Sequence, residues 1–313
     1  MPFLLCLLFA FVLPLGAYAT FVPILENSEE ASLLNPRSPE EIEKLVVAAS
    51  DKLKGRPYVS GNLGEGPDGT YDQDPLYRLD VFDCTTFVET VVTNAYCNGA
   101  RSSAEEMSTC LETVMQKIRY FDDTITFESR GHIAETDWLT SNIRRGFFRD
   151  VTQQFGGSKT KYSHVITDKR GWFENRTLAD IQTKDSEATK ETKLASLRQA
   201  GKNISPVQVS VPYLGFDSLF LSSSHEPNLE LLKRLPNGAV FNVVRENWNP
   251  PGSGTALAIS HQGFIVQKSD GTYLRHASTG KSILDVKLAD YMLQFIHSPT
   301  IRGLNILQVQ PKP

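Results

Sequence analysis

The chain has 313 residues, a formal net charge of −4 at pH 7, and compositions of 40% apolar and 22% charged residues. This length allows one large domain or two small ones, and the composition is that of a globular protein rather than a disordered one. Acidic and basic residues are interspersed, which argues against the clustered Lys and Arg of a nucleic-acid-binding protein or a polybasic membrane-surface patch.

The first residues of the chain differ from the rest. No charged residue lies between Pro2 and Tyr18, and the apolar stretch ends in Ala17-Tyr18-Ala19. An apolar run followed by a small-x-small pattern is typical of a secretory signal peptide, so residues 1–19 are predicted to be cleaved. The alternative is a membrane anchor, but the run is short for a bilayer span. We therefore expect a periplasmic or secreted protein without stable membrane insertion.

Three cysteines, Cys84, Cys97 and Cys110, remain after such a cleavage. Thiols tend to pair in an oxidising compartment, and a helix hairpin can bring Cys97 and Cys110 within disulfide reach. Cys84 is then the unpaired thiol. A free thiol in an exported protein is a candidate nucleophile, while a small buried apolar role for Cys84 is equally open on this count alone.

The first part of the chain predicts helices separated by one long loop. Ser38 to Glu41 is a capping box with proline at the first helical position, and helical spacing of apolar residues continues to residue 54. Residues 55–80 are rich in Gly, Pro and Asp and predict a loop. Further helices are predicted from Cys84 to Tyr96, from Ser103 to about Arg119, from Asp137 to Gln154, and as an exposed helix over residues 180–202.

From about residue 207 onward the pattern favours strands. The segment from Ser269 to Thr272 predicts a hairpin turn, and a short helix is predicted from Leu288 to Ile296. Strands are predicted at Val207 to Val211, Ala239 to Val244, Ala256 to Gln267, Tyr273 to His276, and Ile301 to Gln310. Helices followed by an antiparallel sheet indicate an α+β fold.

Three residues together suggest a catalytic site. Cys84 begins a predicted helix, where the dipole and unpaired amides would lower the thiol pKa and hold an oxyanion. His261 lies at the head of one strand, and His276 lies on the next strand of the hairpin. Antiparallel neighbours can place both imidazoles on one face. A thiol needs a base, and the base needs an orienting partner, so the set predicts nucleophilic catalysis.

The remaining histidines and cysteines do not predict a metal site. Neither a CxxC nor an HxxxH pattern occurs, and such short spacings are what zinc sites commonly use. We therefore expect no metal and no cofactor. The histidines without a partner by spacing are His132, His164, His225 and His297.

Four short motifs follow one another in the order of a known superfamily. They are the loop Gly55 to Gly61, Asp83-Cys84, His261 to Phe264, and His276-Ala277-Ser278. Each motif alone is weak, but the ordered set resembles the NlpC-type cell-wall cysteine hydrolases. Those are papain-like enzymes that cut amide bonds in the peptide stems of bacterial peptidoglycan. The resemblance implies an α+β papain-like core, with the nucleophile at a helix start packed on an antiparallel sheet.

A longer set of segments is similar to one branch of that superfamily, the N-acetylmuramoyl-L-alanine amidase-like group. The similarity covers about residues 38–310, and it implies hydrolysis of the amide between the muramyl lactyl group and L-alanine in muropeptides, including anhydro-sugar forms. It also implies that residues 20–313 form a single domain, which we expect to be monomeric, with inserted loops at about 61–80 and 120–235. The segments are Asp83 to Glu89, Arg130 to His132, Asp137-Trp138, Val211 to Tyr213 and Ile301 to Leu307.

The resemblance also implies roles for individual residues. Cys84 matches the nucleophile, His261 the general base and His276 the orienting third member. Tyr58 matches a loop tyrosine beside the cysteine. Asp83 matches an aspartate that contacts the stem peptide, although a helix-capping role for it is equally open.

Further residues are candidates for substrate binding, with a buried polar cluster beneath the loop as the alternative. They are Arg130, His132, Asp137 and Trp138. Two rival functions also stay open. An endopeptidase of the same superfamily would cut between D-glutamate and the diamino acid by the same chemistry. A catalytically inactive wall-binding module would keep the cleft and lose the thiol.

Overall fold

The computed structural model describes residues 38–98, 103–221 and 225–311. The predicted signal peptide, residues 1–19, lies outside the described residues. Within them, helices are combined with an antiparallel sheet, as the predicted α+β class requires. No helix in these described ranges is both long and apolar enough to cross a membrane.

The elements have the following bounds. The α-helices are α1 (Pro39–Lys52), α2 (Cys84–Cys97), α3 (Ala104–Arg119), α4 (Leu139–Arg144), α5 (Thr152–Gly156), α6 (Lys169–Glu174), α7 (Glu187–Ala200), α8 (Phe216–Leu219), α9 (Leu229–Arg234) and α10 (Leu288–Leu293). A π-helical turn covers Ala134–Trp138, and 3₁₀ turns cover Gly157–Lys159 and Leu178–Asp180. The strands are β1 (Phe148–Asp150), β2 (Lys161–Thr167), β3 (Val207–Gly215), β4 (Val240–Arg245), β5 (Ile259–Lys268), β6 (Gly271–Ala277), β7 (Ile283–Lys287) and β8 (Ile301–Val309).

The strands form one sheet with the order β2-β3-β8-β4-β5-β6-β7, and β1 pairs with β8 outside this path. Every neighbouring pair is antiparallel. Strands β5 and β6 form a hairpin in which Lys268 faces Gly271, so the predicted turn is confirmed. This hairpin lies beside the central strand β4, which places the ends of β5 and β6 against helix α2.

Helices cover the sheet on both faces. Phe264 of β5 packs edge-on against Phe87 of α2, with ring centroids 5.4 Å apart, while the next residue, Ile265, belongs to the core beneath α9 and α10. Both side chains are fully buried. Burying each large apolar side chain stabilises the fold by about 1.5–3 kcal/mol. A strand buried on both faces has no apolar–polar alternation, which explains the continuous apolar pattern of β5.

The first helices begin where the sequence predicts them. Ser38 closes a capping box with Glu41 at the start of α1. Asp83 caps α2, and the Ser103 side chain caps α3. These short polar side chains accept hydrogen bonds from first-turn amides that have no partner within the helix.

The predicted helix from Asp137 to Gln154 is wrong. Helix α4 ends near Gly146, which has φ 79°, a left-handed conformation that glycine adopts without steric cost. The chain then enters β1, which pairs with β8 through Phe148 and Val309. Helix α5 starts at Thr152, whose backbone amide donates a hydrogen bond to the Asp150 carboxylate at 2.9 Å. The apolar residues before and after this break have helical spacing in the sequence, and this spacing predicts one continuous helix.

Two edge strands were not predicted. Strand β2 exposes Tyr162, His164 and Ile166 to solvent, and β7 has only five residues. Edge strands carry polar and partly exposed side chains, so their sequence pattern is weak. The exposed helix predicted over residues 180–202 exists, but begins at Glu187 behind the capping residue Ser186.

Candidate active site

Cys84 is the first residue of α2. The side chain of Asp83 accepts a hydrogen bond from the Thr86 amide at 2.8 Å, and the Thr86 hydroxyl accepts one from the Asp83 amide at 2.9 Å. This capping role of Asp83 is therefore present in the structure. Cys84 is partly exposed and is a free thiol. The capped first turn holds the thiol beside backbone N–H groups that have no helical acceptor.

The thiol of Cys84 is not acidified in this arrangement. Burial and the neighbouring Asp83 carboxylate raise its pKa to about 11, and hydrogen bonds from the backbones of Gln262 and Thr85 offset only part of this rise. The expected lowering of the thiol pKa at the helix start is not found here, because burial and the Asp83 carboxylate both raise it. A thiol of this kind needs a base to remove its proton.

His261 and His276 form a direct contact. Nε2 of His261 lies 2.7 Å from Nδ1 of His276, and the two rings are nearly perpendicular with centroids 4.9 Å apart. One shared proton makes this contact a hydrogen bond, which leaves Nδ1 of His261 as the ring nitrogen available to a thiol. The predicted pairing of these two histidines is thus present.

Glycine at position 263 permits this contact. A Cβ atom on Gly263 would lie 2.9 Å from Cβ of His276 and 2.5 Å from the carbonyl oxygen of Arg275. Such distances are shorter than real side chains allow. Only glycine therefore lets β6 approach β5 closely enough for the two imidazoles to meet.

Both histidines are neutral at pH 7. Burial, reinforced by His276, lowers the pKa of His261 to about 3. Burial likewise lowers the pKa of His276 to about 4, against a smaller opposing effect of Asp285. Neutral imidazole is the form that can accept a proton, so His261 has the protonation state that a general base requires.

A cavity of about 260 Å³ opens beside the histidine pair. Tyr291 of α10 covers the pair from one side, with its ring centroid 5.2 Å from that of His276 and 6.4 Å from that of His261. The residues lining the cavity are Val243, Arg245, Ser260, His261, His276, Ser278, Thr279, Tyr291, Phe295 and Ile301.

Tyr291 was missed in the sequence. Burial raises its pKa to about 12, with a further contribution from Cys84 and an opposing one from Arg245. Its phenol therefore lies within electrostatic reach of both residues. The only sequence signal was its place on a short amphipathic helix after the His276 strand, and that signal predicts core packing equally well.

Tyr58 lies where the resemblance implies. A bridge to Phe82 and the hydrogen bond from the Tyr58 amide to the Lys281 carbonyl bring this loop to the start of α2. Burial raises the pKa of the Tyr58 phenol, and Cys84 and Asp83 raise it further. Tyr58 is thus a neighbour of the thiol.

A chain of buried side-chain amides connects the two halves of the site. Thr85 donates to Oε1 of Gln262 at 3.0 Å, Gln262 donates to Asn242 at 2.7 Å, and Asn242 donates to Asn305 at 2.8 Å. This chain links the residue after Cys84 to the residue after His261. The only sequence signal for this chain of contacts is an asparagine within each of two apolar strands.

The four further substrate-binding candidates lie elsewhere. Trp138 is 1% exposed and donates its indole N–H to Glu89 at 3.1 Å. Asp137 forms an ion pair with Lys169 at 2.9 Å. Both side chains therefore make their polar contacts with other residues of the protein interior. Neither lines the cavity at the histidine pair.

Arg130 and His132 also contact buried residues of the protein rather than the cavity. Arg130 pairs with Glu65 at 2.7 Å and Asp72 at 2.9 Å. His132 lies between the Phe127 and Trp172 rings, and burial together with Arg130 lowers its pKa well below the ordinary value. The alternative interpretation, a buried polar cluster beneath the loop, describes this placement, and the pocket-lining interpretation does not.

Cys97 and Cys110 form a disulfide between the end of α2 and the middle of α3, with Cα atoms 5.7 Å apart. The pairing expected from the sequence is present, and Cys84 is the free cysteine among the described residues. Within the described parts of the chain, no three His, Cys, Asp or Glu side chains are arranged to hold a metal ion.

Comparison with known proteins assigns the family. The family model for AmiA-like, N-acetylmuramoyl-L-alanine amidase-like proteins matches residues 48–297. The chain therefore belongs to the N-acetylmuramoyl-L-alanine amidase-like family. No curated protein matches the sequence.

Solved structures share the fold of this chain. Protein LPG0564 of Legionella pneumophila is 34% identical with a TM-score of 0.80, and the alignment covers 87% of this chain and 90% of that one. An N-acetylmuramoyl-L-alanine amidase from Bacteroides uniformis shares the fold at 22% identity with a TM-score of 0.59, over 86% of this chain and 99% of that one.

Proposed function

We propose that the protein is a cysteine-dependent amidase that cleaves the bond between N-acetylmuramic acid and L-alanine in muropeptides, including 1,6-anhydro forms. The observation that carries this proposal is the 2.7 Å contact between His261 and His276 in a protein with a free thiol at the start of α2. The 3.0 Å hydrogen bond from the Thr85 hydroxyl to Gln262 supports it, because it brings the residue after His261 to the residue after Cys84. Membership of an amidase-like family supports the choice of bond.

The proposed reaction is acyl transfer in two steps. His261 takes the proton of the Cys84 thiol as the sulfur attacks the lactyl carbonyl carbon. Backbone N–H groups at the start of α2 stabilise the oxyanion. His261 then protonates the alanine nitrogen, the C–N bond breaks, and the stem peptide leaves. Water, deprotonated by His261, hydrolyses the remaining thioester and frees the muramic acid carboxylate.

His276 acts on the base rather than on the substrate. Its contact with Nε2 of His261 fixes the ring orientation and keeps Nδ1 for the thiol. Gly263 and the Tyr291 ring hold the pair in place from two sides. Tyr58 completes the thiol side of the cleft. Asp83 acts as the cap of α2. The nitrogen of L-alanine is acylated in the proposed substrate, so the substrate offers no ammonium group there for Asp83 to bind.

Export fits this substrate class. We infer that residues 1–19 are removed and that residues 20–313 act outside the cytoplasm as one papain-like domain, as a monomer. The disulfide between Cys97 and Cys110 supports an oxidising compartment. Segments inserted at about 61–80 and 120–235 then carry the branch-specific parts of the domain.

The rival function is an endopeptidase with the same triad. Incubation with N-acetylmuramyl tripeptide, followed by mass spectrometry, separates the two, because only an amidase releases the intact tripeptide and free N-acetylmuramic acid. The Cys84→Ala variant should fold normally and release neither product. Cleavage by wild type after the second stem residue would refute the amidase, and wild-type turnover by Cys84→Ala would refute the nucleophile.

A further inference from the structure

Arg245 is a partly buried cation without an anionic partner. It ends β4 and lines the cavity beside His261 and His276. Its Nη1 donates to the Thr300 hydroxyl at 2.6 Å, and its guanidinium lies over Trp248 at 4.4 Å. Nε is buried and has no acceptor. Within the described residues, no carboxylate forms an ion pair with it.

Other buried arginines of this chain are neutralised. Arg119 pairs with Glu89 at 3.1 Å, and Arg275 pairs with Asp285 at 2.7 Å. The carboxylate next to Arg245 in sequence, Glu246, is held by Arg302 at 2.8 Å. Arg245 is less deeply buried than Arg119 and Arg275, but its buried Nε has no acceptor within the described residues. Its charge faces a cavity, which suggests that the missing partner arrives with a ligand.

The environment of Arg245 keeps a charge in the cavity. Burial lowers its pKa, and Tyr291 acts in the opposite direction, while no carboxylate contributes. Guanidinium nevertheless stays protonated in proteins, so the cavity holds an uncompensated positive charge. Planar guanidinium groups bind carboxylates through two parallel hydrogen bonds, which makes a carboxylate the fitting counter-group.

The rest of the cavity suits a small piece of peptide. Hydroxyl groups come from Ser260, Ser278 and Thr279, and Phe295 and Ile301 supply apolar surface. Its volume of about 260 Å³ is below the roughly 300–1,000 Å³ of pockets for drug-sized ligands. A ligand of about two amino-acid residues that presents a carboxylate to Arg245 matches this size and chemistry.

The cavity lies on the leaving-group side of the proposed reaction. His261 protonates the departing alanine nitrogen, so the stem peptide must lie next to the histidine pair, where Arg245 is found. The first carboxylate beyond the scissile amide belongs to the D-glutamate that follows L-alanine. We propose that Arg245 binds this α-carboxylate and makes the enzyme selective for acidic over amidated stems. This inference rests on the proposed function.

A pair of substrates tests the inference directly. N-acetylmuramyl-L-alanyl-D-glutamate and N-acetylmuramyl-L-alanyl-D-isoglutamine differ only in the carboxylate that Arg245 would bind. Wild type should favour the acid about 10- to 100-fold in kcat/KM, which is the usual value of a charged hydrogen bond. In Arg245→Gln the ratio should fall towards one, and in Arg245→Lys it should stay intermediate. Arg149→Gln, an exposed arginine on strand β1 outside the cavity, should keep the wild-type ratio.

Either of two results would overturn the inference. A wild-type ratio near one overturns the inference, and so does an acid preference that survives in Arg245→Gln. If Arg245→Gln does not fold, the wild-type ratio and the Arg245→Lys variant still decide.

Binding of product dipeptides separates this inference from the proposed function. Calorimetry with L-alanyl-D-glutamate and L-alanyl-D-isoglutamine needs no turnover. Acid-selective binding that Arg245→Gln loses, in a protein that cleaves no muropeptide, would retain the Arg245 site and refute the amidase. Cleavage of both substrates at equal rates, with equal dipeptide binding, would retain the amidase and refute the Arg245 site.

Discussion

Nε2 of His261 lies 2.7 Å from Nδ1 of His276, across the open end of the β5–β6 hairpin. Because this contact occupies Nε2, Nδ1 is the nitrogen of His261 that remains to act as the base. The contact depends on Gly263, whose missing side chain leaves room for His276. The base and its orienting partner are therefore held by a rigid, buried sheet rather than by a loop, which is how precise catalytic geometry is best maintained.

Replacing His276 tests the orienting role. In His276→Ala we expect kcat to fall roughly 10²- to 10⁴-fold with little change in KM, because the base loses its preferred tautomer and direction. His164→Ala, an exposed histidine on strand β2, is the matched control and should keep full activity. Steady-state kinetics and circular dichroism check both variants. An active His276→Ala enzyme would show that the contact is structural only.

The pH profile tests the state of the base. His261 must be unprotonated to accept the thiol proton, so activity is lost as the pH falls through its pKa. Because burial and His276 lower that pKa to about 3, the acid limb of kcat/KM should lie below about pH 5. In His276→Ala the limb should move to higher pH, since one lowering influence is gone. An acid limb near the ordinary histidine value of about 6.5 in wild type would contradict this account.

The disulfide should stabilise the fold without serving catalysis. It closes a loop with a sequence separation of 13 residues, for which a loss of about 3 kcal/mol in the free energy of unfolding is expected on removal. The Cys97→Ser, Cys110→Ser double variant should show this loss in urea denaturation and keep wild-type kcat/KM at 25 °C. A comparable loss of activity in the folded double variant would link the disulfide to the site.

Arg130 tests whether the buried polar cluster contacts substrate. Its guanidinium holds the loop through Glu65, Asp72 and the Leu63 carbonyl. Arg130→Met should lower the free energy of unfolding by roughly 3 kcal/mol, because it leaves buried carboxyl groups unpaired. KM for muropeptides should stay within about threefold of wild type while the variant is folded. A large rise in KM at unchanged stability would instead return Arg130 to the substrate pocket.

Much of the fold followed from local signals. The helices that begin at Pro39, Cys84 and Ala104 have side-chain caps directly before them, so their starts could be predicted. The β5–β6 hairpin had an Asp-Gly turn. The break at Gly146 could not be predicted, because strand β1 is stabilised by pairing with β8, more than 150 residues away. Such pairing is tertiary and leaves no local pattern.

The candidate site was predictable where short motifs carried it. Cys84, His261 and His276 each lie in one, and the contact between the histidines is the one expected from neighbouring strands. Arg245 and Tyr291 carry no motif. Their importance comes from an unpaired charge and a ring position, which only the packing of β4 and α10 reveals. The raised pKa of Cys84 likewise reflects burial, which the helix start alone did not predict.

The most direct measurement of the central claim is the mass of the acyl-enzyme. Wild type is mixed with N-acetylmuramyl tripeptide, quenched in acid within one turnover, and digested for mass spectrometry. We predict that the peptide containing Cys84 gains the N-acetylmuramyl acyl group alone, as a thioester. An adduct that also contains L-alanine and D-glutamate would identify an endopeptidase. An unmodified Cys84, together with full activity of Cys84→Ala, would contradict the account.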